Sequence, residues 1–134
     1  MMTEYEFKQA ILTRILEADF LDDEQIDVPN SKGFKPPDNG VWLRVGFSGV
    51  QGVFSGFGNQ PCTRRTGLIM IQCFMPAQEY TQPIDDLTDK LVALLEWHHA
   101  NGFELHAADV IVAGQTGDDA FYQKNVHIPF VIKP

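Results

Sequence analysis

The first apolar pattern in the chain has the spacing of a helix. Phe7, Ile11 and Ile15 recur every four residues, which predicts an amphipathic helix of about four turns with one buried face. Just before this helix, Thr3 and Glu6 have the spacing of a capping box, in which each side chain accepts a hydrogen bond from the other residue's backbone N–H. We therefore expect the helix to begin directly after Thr3.

A second helical pattern begins after Thr81, which is the predicted N-cap. Asp85 and Asp86 fall in the first turn, where the helix dipole favours carboxylates. The predicted end is Asn101–Gly102, because glycine favours helix termination. The apolar stripe of this helix consists of Ile84, Leu87, Leu91, Leu94, Leu95 and His98.

Strand patterns fill much of the remaining chain. From 41 to 48, apolar residues alternate with Trp42, Arg44 and two small residues, which predicts a strand with Trp42 and Arg44 on the face opposite the apolar set. The almost wholly apolar run 67–75 predicts a second, central strand. Its two faces are covered within the protein, or one face packs on helices and the other on a neighbouring subunit. A loop of roughly 18 residues, 48–65, joins the two strands, so an antiparallel hairpin is expected.

Two further strands are predicted at 104–113 and 120–132, with a glycine- and aspartate-rich turn between them. The segment 25–40 contains Pro29, Pro36 and Pro37 and is predicted as an extended connection. The element order is thus α-β-β-α-β-β. The expected fold class is α+β, with one domain over residues 1–134, a single mostly antiparallel four-stranded sheet, two helices packed on one face and a long mobile β-hairpin loop.

Charge is distributed unevenly along the chain. The protein has 18 acidic and 10 basic residues and a net charge of −8, yet residues 41–76 contain no acid and include Arg44, Arg64 and Arg65. Within this stretch, Gly49–Gly58 is rich in glycine and phenylalanine. The contrast predicts a basic arm that docks on an acidic partner, and another copy of the chain is one candidate.

Composition also limits the classes of function. The overall acidity argues against direct nucleic-acid recognition. No apolar run approaches the about 18 residues that a membrane span needs, and the N-terminus lacks the features of a signal peptide, so we expect a cytoplasmic protein. The chain has no serine-hydrolase, metalloprotease or P-loop motif, so we expect no enzyme activity, no catalytic residues and no cofactor.

The cysteines and histidines do not form a metal-binding motif. Cys62 and Cys73 lack the spacing of a zinc site, and a reducing compartment disfavours a disulfide between them. Cys73 is interpreted as a small core residue and Cys62 as an exposed thiol. His98 and His99 are adjacent, so on the predicted helix they diverge by about 100° and cannot easily hold one metal ion, even together with His106. No metal site is predicted.

Three short segments and one helix carry a resemblance to a known family. The segments are Val41-Trp-Leu-Arg-Val45, Arg65-Thr-Gly-Leu-Ile-Met-Ile-Gln-Cys-Phe-Met-Pro76 and Phe121-Tyr-Gln-Lys-Asn-Val-His-Ile-Pro-Phe130, and the acidic helix runs from Asp85 to Trp97. In type and order these elements resemble the phage tail terminators related to the minor tail protein U of phage lambda. The resemblance covers nearly the whole chain, but it contains no catalytic signature.

The resemblance implies a structural role in the virion. Family members assemble in the host cytoplasm into a ring of six subunits at the neck of the tail. One face of the ring caps the tail tube protein and the other meets the head-completion or connector protein. A ring requires unlike, head-to-tail surfaces, which an acidic body and a basic arm would supply. The family's loop is often richer in basic residues than this one, where only Arg64 and Arg65 remain.

Arginines in the acid-free stretch are the first candidate interface residues. Arg64 and Arg65 are predicted to clamp a carboxylate of a neighbouring subunit, since guanidinium groups suit interface ion pairs. Arg44 lies in mid-strand, and its position fits either a subunit contact or simple exposure.

Aromatic residues are the second group of candidates. Phe54 and Phe57 lie in a glycine-rich loop that is poorly suited to a core, so both are predicted as interface anchors, and Trp42 is assigned to the same surface. Two alternatives remain open. One is another neck or head–tail joining protein, and the other is a small-ligand or nucleotide-binding module that uses the glycine-rich loop with Arg64 and Arg65.

Overall fold

Two helices and eight strands account for most of the described chain. The computed structural model describes residues 2–29, 33–37, 39–49, 51–54, 63–77, 80–115 and 121–134. In chain order the elements are α1 (Glu4–Glu17), a short 3-10 helix (Asp23–Gln25), β1 (Ile26–Asp27), β2 (Trp42–Phe47), β3 (Gln51–Phe54), β4 (Thr63–Pro76), α2 (Gln82–Leu95), β5 (His99–Ala100), β6 (Phe103–Leu105), β7 (Asp109–Gln115) and β8 (Phe121–Ile132).

All eight strands belong to one sheet, which is built around the long β4–β8 pair. The strand order is β1-β2-β4-β8-β6-β5, with β3 beside β4 and β7 beside β8. The β4–β8 pairing is antiparallel and runs from Arg65 opposite Ile132 to Pro76 opposite Phe121. Only β1 and β2 pair in parallel, so within the described residues the sheet is mixed.

The predicted four-stranded sheet, with the order α-β-β-α-β-β, is therefore wrong. The strands that it omits are short: β1 and β5 have two residues each and β3 has four. Strands of this length contain too few alternating positions to give a period-two signal. The strand β1 lies in the proline-rich connection 25–40, β3 lies in the predicted loop 48–65, and the strand predicted at 104–113 is two separate strands, β6 and β7.

Helix α2 also ends earlier than predicted. It stops at Leu95, and Trp97 has a backbone φ of 62°, a left-handed conformation that cannot continue a helix. His98 and His99 therefore follow the helix, and Gly102, with φ 105°, turns the chain between β5 and β6. Gly102 thus marks a turn of the chain, but the turn belongs to the β5–β6 hairpin and not to the end of a helix.

Both helices pack on the same face of the sheet. The core cluster joins Ile11 of α1 and Leu91 of α2 to alternate residues of β4 and β8, such as Ile71 and Ile128. The Nε atom of Arg14 also donates to the carbonyl of Leu94 at 3.0 Å, linking the two helices directly. The predicted placement of the helices on one face thus agrees with the structure. The predicted capping box of α1 is confirmed, because both reciprocal hydrogen bonds are present.

No helix in the described ranges is long and apolar enough to cross a membrane.

Candidate protein-interaction surface

The sheet face opposite the helices, here called the open face, has no helix packed on it among the described elements. Strand register places side chains across it in transverse rows, because paired residues of adjacent strands share a face. One row consists of Arg44, Gln72, Asn125 and Ile111 on β2, β4, β8 and β7. A single row thus presents a guanidinium, two carboxamides and an aliphatic side chain to whatever contacts the open face.

Trp42 forms the centre of an aromatic cluster at one end of the open face. Its ring stacks on Phe74 at 4.2 Å between centroids, and Phe34 and Phe121 lie 5.3 and 5.6 Å away. As predicted, Trp42 lies opposite the face that carries Leu43. It is nevertheless buried within the protomer, and its Nε1–H has no acceptor in the described part of the chain. Trp42 therefore lies beneath the exposed side chains of the open face and is not itself exposed to a partner.

Arg44 is held in a defined position above this cluster. Its Nε donates to Asp27 Oδ2 at 2.8 Å, and its guanidinium lies 5.5 Å from the Trp42 ring centroid and 5.8 Å from that of Phe74. About half of the Arg44 side chain remains exposed, at 48%. An ion pair and an aromatic surface thus fix the side chain while leaving part of it available to a partner.

A shallow depression of about 180 Å³ lies next to Arg44 on the open face. Met70 and Gly46 contribute to its lining together with the polar side chains of Gln72 and His127. Such a depression is small compared with the sites that enclose drug-sized ligands. Its polar groups are better suited to receiving one side chain of a partner protein.

Arg64 and Arg65 lie within β4, where they are exposed and oppose β3. The predicted loop 48–65 is thus shorter than expected, because both of its ends are strand. Successive side chains of a strand leave on opposite faces, so Arg64 lies on the open face and Arg65 on the helix-covered face. No described ion pair includes either residue. Their divergence argues against the predicted joint clamp on a single carboxylate.

The structure does not describe the side chains of the predicted phenylalanine anchors. Phe54 is the last residue of β3, opposite Thr63, and nothing is described of its side chain. Phe57 and Cys62 lie outside the described residues. The interface role of both phenylalanines stays a prediction.

Strand β7 is a candidate interaction surface that the sequence patterns did not reveal. Within the described residues it pairs with β8 alone, so its second edge is free. Val110, Ile111 and Val112 are 43%, 44% and 61% exposed. Their apolar character suggested an ordinary strand, and nothing in this segment indicated which strands pair beside it. A free edge with exposed aliphatic side chains is typical of strands that pair with another chain.

The remaining candidate side chains are buried or form hydrogen bonds within the protomer. Burial raises the pKa of the Cys73 thiol to about 12, and the predicted core position of Cys73 is confirmed. His106 Nε2 lies 3.2 Å from Glu104 Oε1, and this hydrogen bond lowers the pKa of Glu104. The described residues include no group of three or more side chains suited to a metal ion.

The ion pair between Asp85 and Lys124 attaches the first turn of α2 to β8. Lys124 Nζ donates to Asp85 Oδ1 at 2.8 Å, and this bond lowers the pKa of Asp85. A carboxyl whose pKa is lowered in the folded state stabilises the fold above its unfolded pKa, and this contribution is lost as the pH falls through the folded pKa.

We expect Asp85→Asn to lower the free energy of unfolding at pH 7 by about 0.5–1 kcal/mol, a small effect because the carboxylate is 46% exposed. The difference from the wild type should shrink as the pH falls below about 4, where carboxyl groups take up protons. Urea titrations from pH 7 to pH 2.5 measure this effect. Asp86→Asn, in the same turn, controls for the helix dipole, and an equal loss in both variants at pH 7 would contradict a specific role for the ion pair.

Comparison with known proteins supports the fold and nothing more specific. No protein-family model matches the chain, and no curated protein matches it significantly. A solved structure of a protein with no descriptive name superposes with a TM-score of 0.67 at 18% sequence identity, and the alignment covers 100% of this chain and 98% of that one. At this identity the similarity shows a shared fold over the full length.

Proposed function

We propose that this chain is a structural assembly protein of the tail-terminator type, which forms a ring that caps the tail tube of a phage or prophage. The observation that carries the proposal is the open face with its fixed arginine. Arg44 is held by Asp27 and by the rings of Trp42 and Phe74, and it stands in a row of polar groups on the sheet face that carries no helix among the described elements. Arginine and tryptophan are the residue types most enriched among interface residues with large energetic effects.

The shape of this surface favours a macromolecular partner. The row from Arg44 to Ile111 crosses four strands, and a width of about 15 Å follows from a strand spacing of about 4.8 Å. A flat surface of this extent suits a protein contact better than a small ligand, which binds in a concave site. In the proposed role, the open face contacts the next component of the tail, the tube protein or the connector.

The sheet margins support self-assembly. The margin with β3 belongs to the acid-free part of the chain, while the margin with β7 is aliphatic and begins with Asp109. Unlike surfaces on one protomer are what a head-to-tail ring requires. Another neck protein of similar size would use the same surfaces, and the experiment below separates it from a terminator.

The test combines assembly with tube capping. We expect light scattering on a sizing column to show a shift from monomer to a closed ring as the protein concentration or Mg²⁺ rises, and electron microscopy to show rings. Added to polymerising tube protein from the same gene cluster, the wild type should shorten the tubes, whereas Arg44→Ala should form rings but require at least about tenfold more protein for the same shortening. A persistent monomer with ligand-dependent melting would favour the ligand-binding alternative, and rings without any effect on tube length would favour another neck protein.

A further inference from the structure

Among the described strands, β3 and β7 provide the two longest free edges of the sheet. The outermost strands of the main path, β1 and β5, have only two residues each, and very short edge strands are poor templates for pairing. By contrast, β3 has four residues and β7 has seven. Within the described residues each pairs on one side only, β3 with β4 and β7 with β8. Any extension of the sheet by another chain is therefore expected at these two edges.

The two edges lie on opposite margins of the sheet. Strand β4 pairs with β8 along one edge, so β3 pairs along the other edge of β4. Strand β8 pairs with β4 along one edge, so β7 pairs along the opposite edge of β8. The three pairings are all antiparallel, which makes β3 run parallel to β8 and antiparallel to β7. If the sheet of one copy continues into the sheet of the next with the same orientation, β7 meets β3 as an antiparallel neighbour. The helices then remain on one side of the continuous sheet.

The charges near the two margins are opposite in sign on the open face of the sheet. On the open face, Arg64 lies beside β3, and Asp109 lies at the start of β7. On the helix-covered face, a terminal nitrogen of Arg65 lies over Gly52 of β3, 3.4 Å from where a Cβ would stand. On this face, Asp85 of α2 is already bonded to Lys124, the residue paired with Val112 of β7, so its charge is balanced within the protomer. The divergence of the two arginines, which prevents a joint clamp, places one positive charge on each face.

We propose that β7 of one copy pairs antiparallel with β3 of the next copy and so extends the sheet across the subunit boundary. This inference rests on the proposed ring assembly and specifies the subunit contact. The exposed side chains of Val110, Ile111 and Val112 are covered in this contact, and the free backbone groups of both strands are satisfied. Because β3 and β7 lie toward opposite ends of the strand direction, consecutive subunits are displaced along that direction.

Edge-blocking variants provide the first test. We expect Val112→Lys, and separately Ile111→Lys, to reduce ring formation at least about tenfold, because a lysine on an edge strand opposes pairing with another chain. Tyr80→Lys is the matched control, since Tyr80 is 91% exposed and lies away from both edges in sequence. It should assemble like the wild type. Circular dichroism melting curves confirm that all three variants fold.

A charge exchange provides the second test. Arg64→Asp and Asp109→Arg should each weaken assembly at least about tenfold, and the double variant should recover to within about threefold of the wild type. Glu17→Arg makes the same change in net charge as Asp109→Arg on the exposed end of α1 and should have no effect. Because the double variant also restores the net charge, Arg64→Asp combined with Glu17→Arg is its control. Recovery in both double variants would indicate a general charge effect and contradict a specific contact.

Disulfide trapping identifies the pairing directly. In a Cys62→Ser background, Gln51→Cys and Ile111→Cys proteins are mixed and oxidised, because both positions lie on the open face. Cross-links between the two different variants support β3–β7 pairing, whereas cross-links between two Ile111→Cys chains would show a two-fold β7–β7 contact and overturn the proposal.

The outcomes separate this inference from the proposed function. Rings that persist in Val112→Lys and Ile111→Lys would contradict the β3–β7 contact and leave the tail-terminator proposal standing. A wild type that stays monomeric at every protein and Mg²⁺ concentration would contradict both.

Discussion

Replacement of Phe7 by alanine is expected to lower the free energy of unfolding by about 3–5 kcal/mol. Phe7 is fully buried and lies at the centre of the contact between α1 and the sheet. Its ring stacks on Phe130 at 4.3 Å, and its neighbours Phe103 and Phe47 meet it edge-on at 5.3 and 6.1 Å. Truncation removes these contacts and leaves a cavity between rings that are held by separate strands, so the site cannot collapse easily.

Urea unfolding monitored by circular dichroism measures this effect. Tyr5→Ala is the matched control, because Tyr5 lies on the same helix and is 72% exposed. Its substitution should change the free energy of unfolding by less than about 0.5 kcal/mol. Similar losses in both variants would contradict the place of Phe7 in the aromatic core, since alanine has the higher helix propensity and helix propensity therefore cannot explain a loss.

Replacement of Gly67 by alanine is expected to destabilise the protein by about 1–3 kcal/mol through overpacking. Gly67 lies in β4 opposite Phe130. A Cβ at this position would lie 2.6 Å from Phe130 Cζ and 2.9 Å from its Cε2, closer than carbon atoms can approach. Phe130 cannot move aside freely, because its ring is stacked against Phe7. The absence of a side chain at Gly67 thus makes room for the Phe130 ring.

Three further variants make the Gly67 prediction specific: Gly46→Ala, Phe130→Leu and the double variant of Gly67→Ala with Phe130→Leu. Gly46→Ala, in β2, places a Cβ 3.7 Å from the nearest atom, which is an ordinary contact, so its effect should be within about 0.5 kcal/mol. Adding Phe130→Leu to Gly67→Ala should cost less than the sum of the two single changes, because leucine leaves space for the new methyl group. Chemical denaturation of the four proteins gives the coupling energy, and strict additivity would contradict the proposed clash.

Some elements were predictable because their patterns are long and repeat a single period. The repeat of Phe7, Ile11 and Ile15 specified α1 and its buried face, and Thr3 with Glu6 specified its start. Similarly, the apolar run 67–75 indicated a central strand, and it lies within the long strand β4. In each case neighbouring residues contain the information, because helix caps and amphipathic faces depend on contacts close in sequence.

Other elements could not be predicted because they depend on partners far away in the chain. The two residues of β1 form a strand only because β2 lies alongside them. Helix α2 was expected to extend to Asn101–Gly102, but Glu96 and Trp97 leave the helix where they meet the 106–108 segment, with Glu96 Oε2 accepting from the Ala108 N–H at 2.8 Å. Tertiary hydrogen bonds of this kind override local helix propensity.

The candidate interaction surface was likewise predictable from the sequence only in part. The amino-acid sequence by itself determined that residues 41–76 lack acids, that Arg44 and Trp42 share a face, and that α1 and α2 each have one apolar side, because composition and periodicity are properties of the chain alone. Only the tertiary structure decided that Trp42 is buried beneath Arg44, that Arg64 and Arg65 belong to a strand with opposite faces, and that β7 is an edge. Whether a strand is central or at an edge depends on what pairs beside it, and that neighbour comes from a distant part of the sequence.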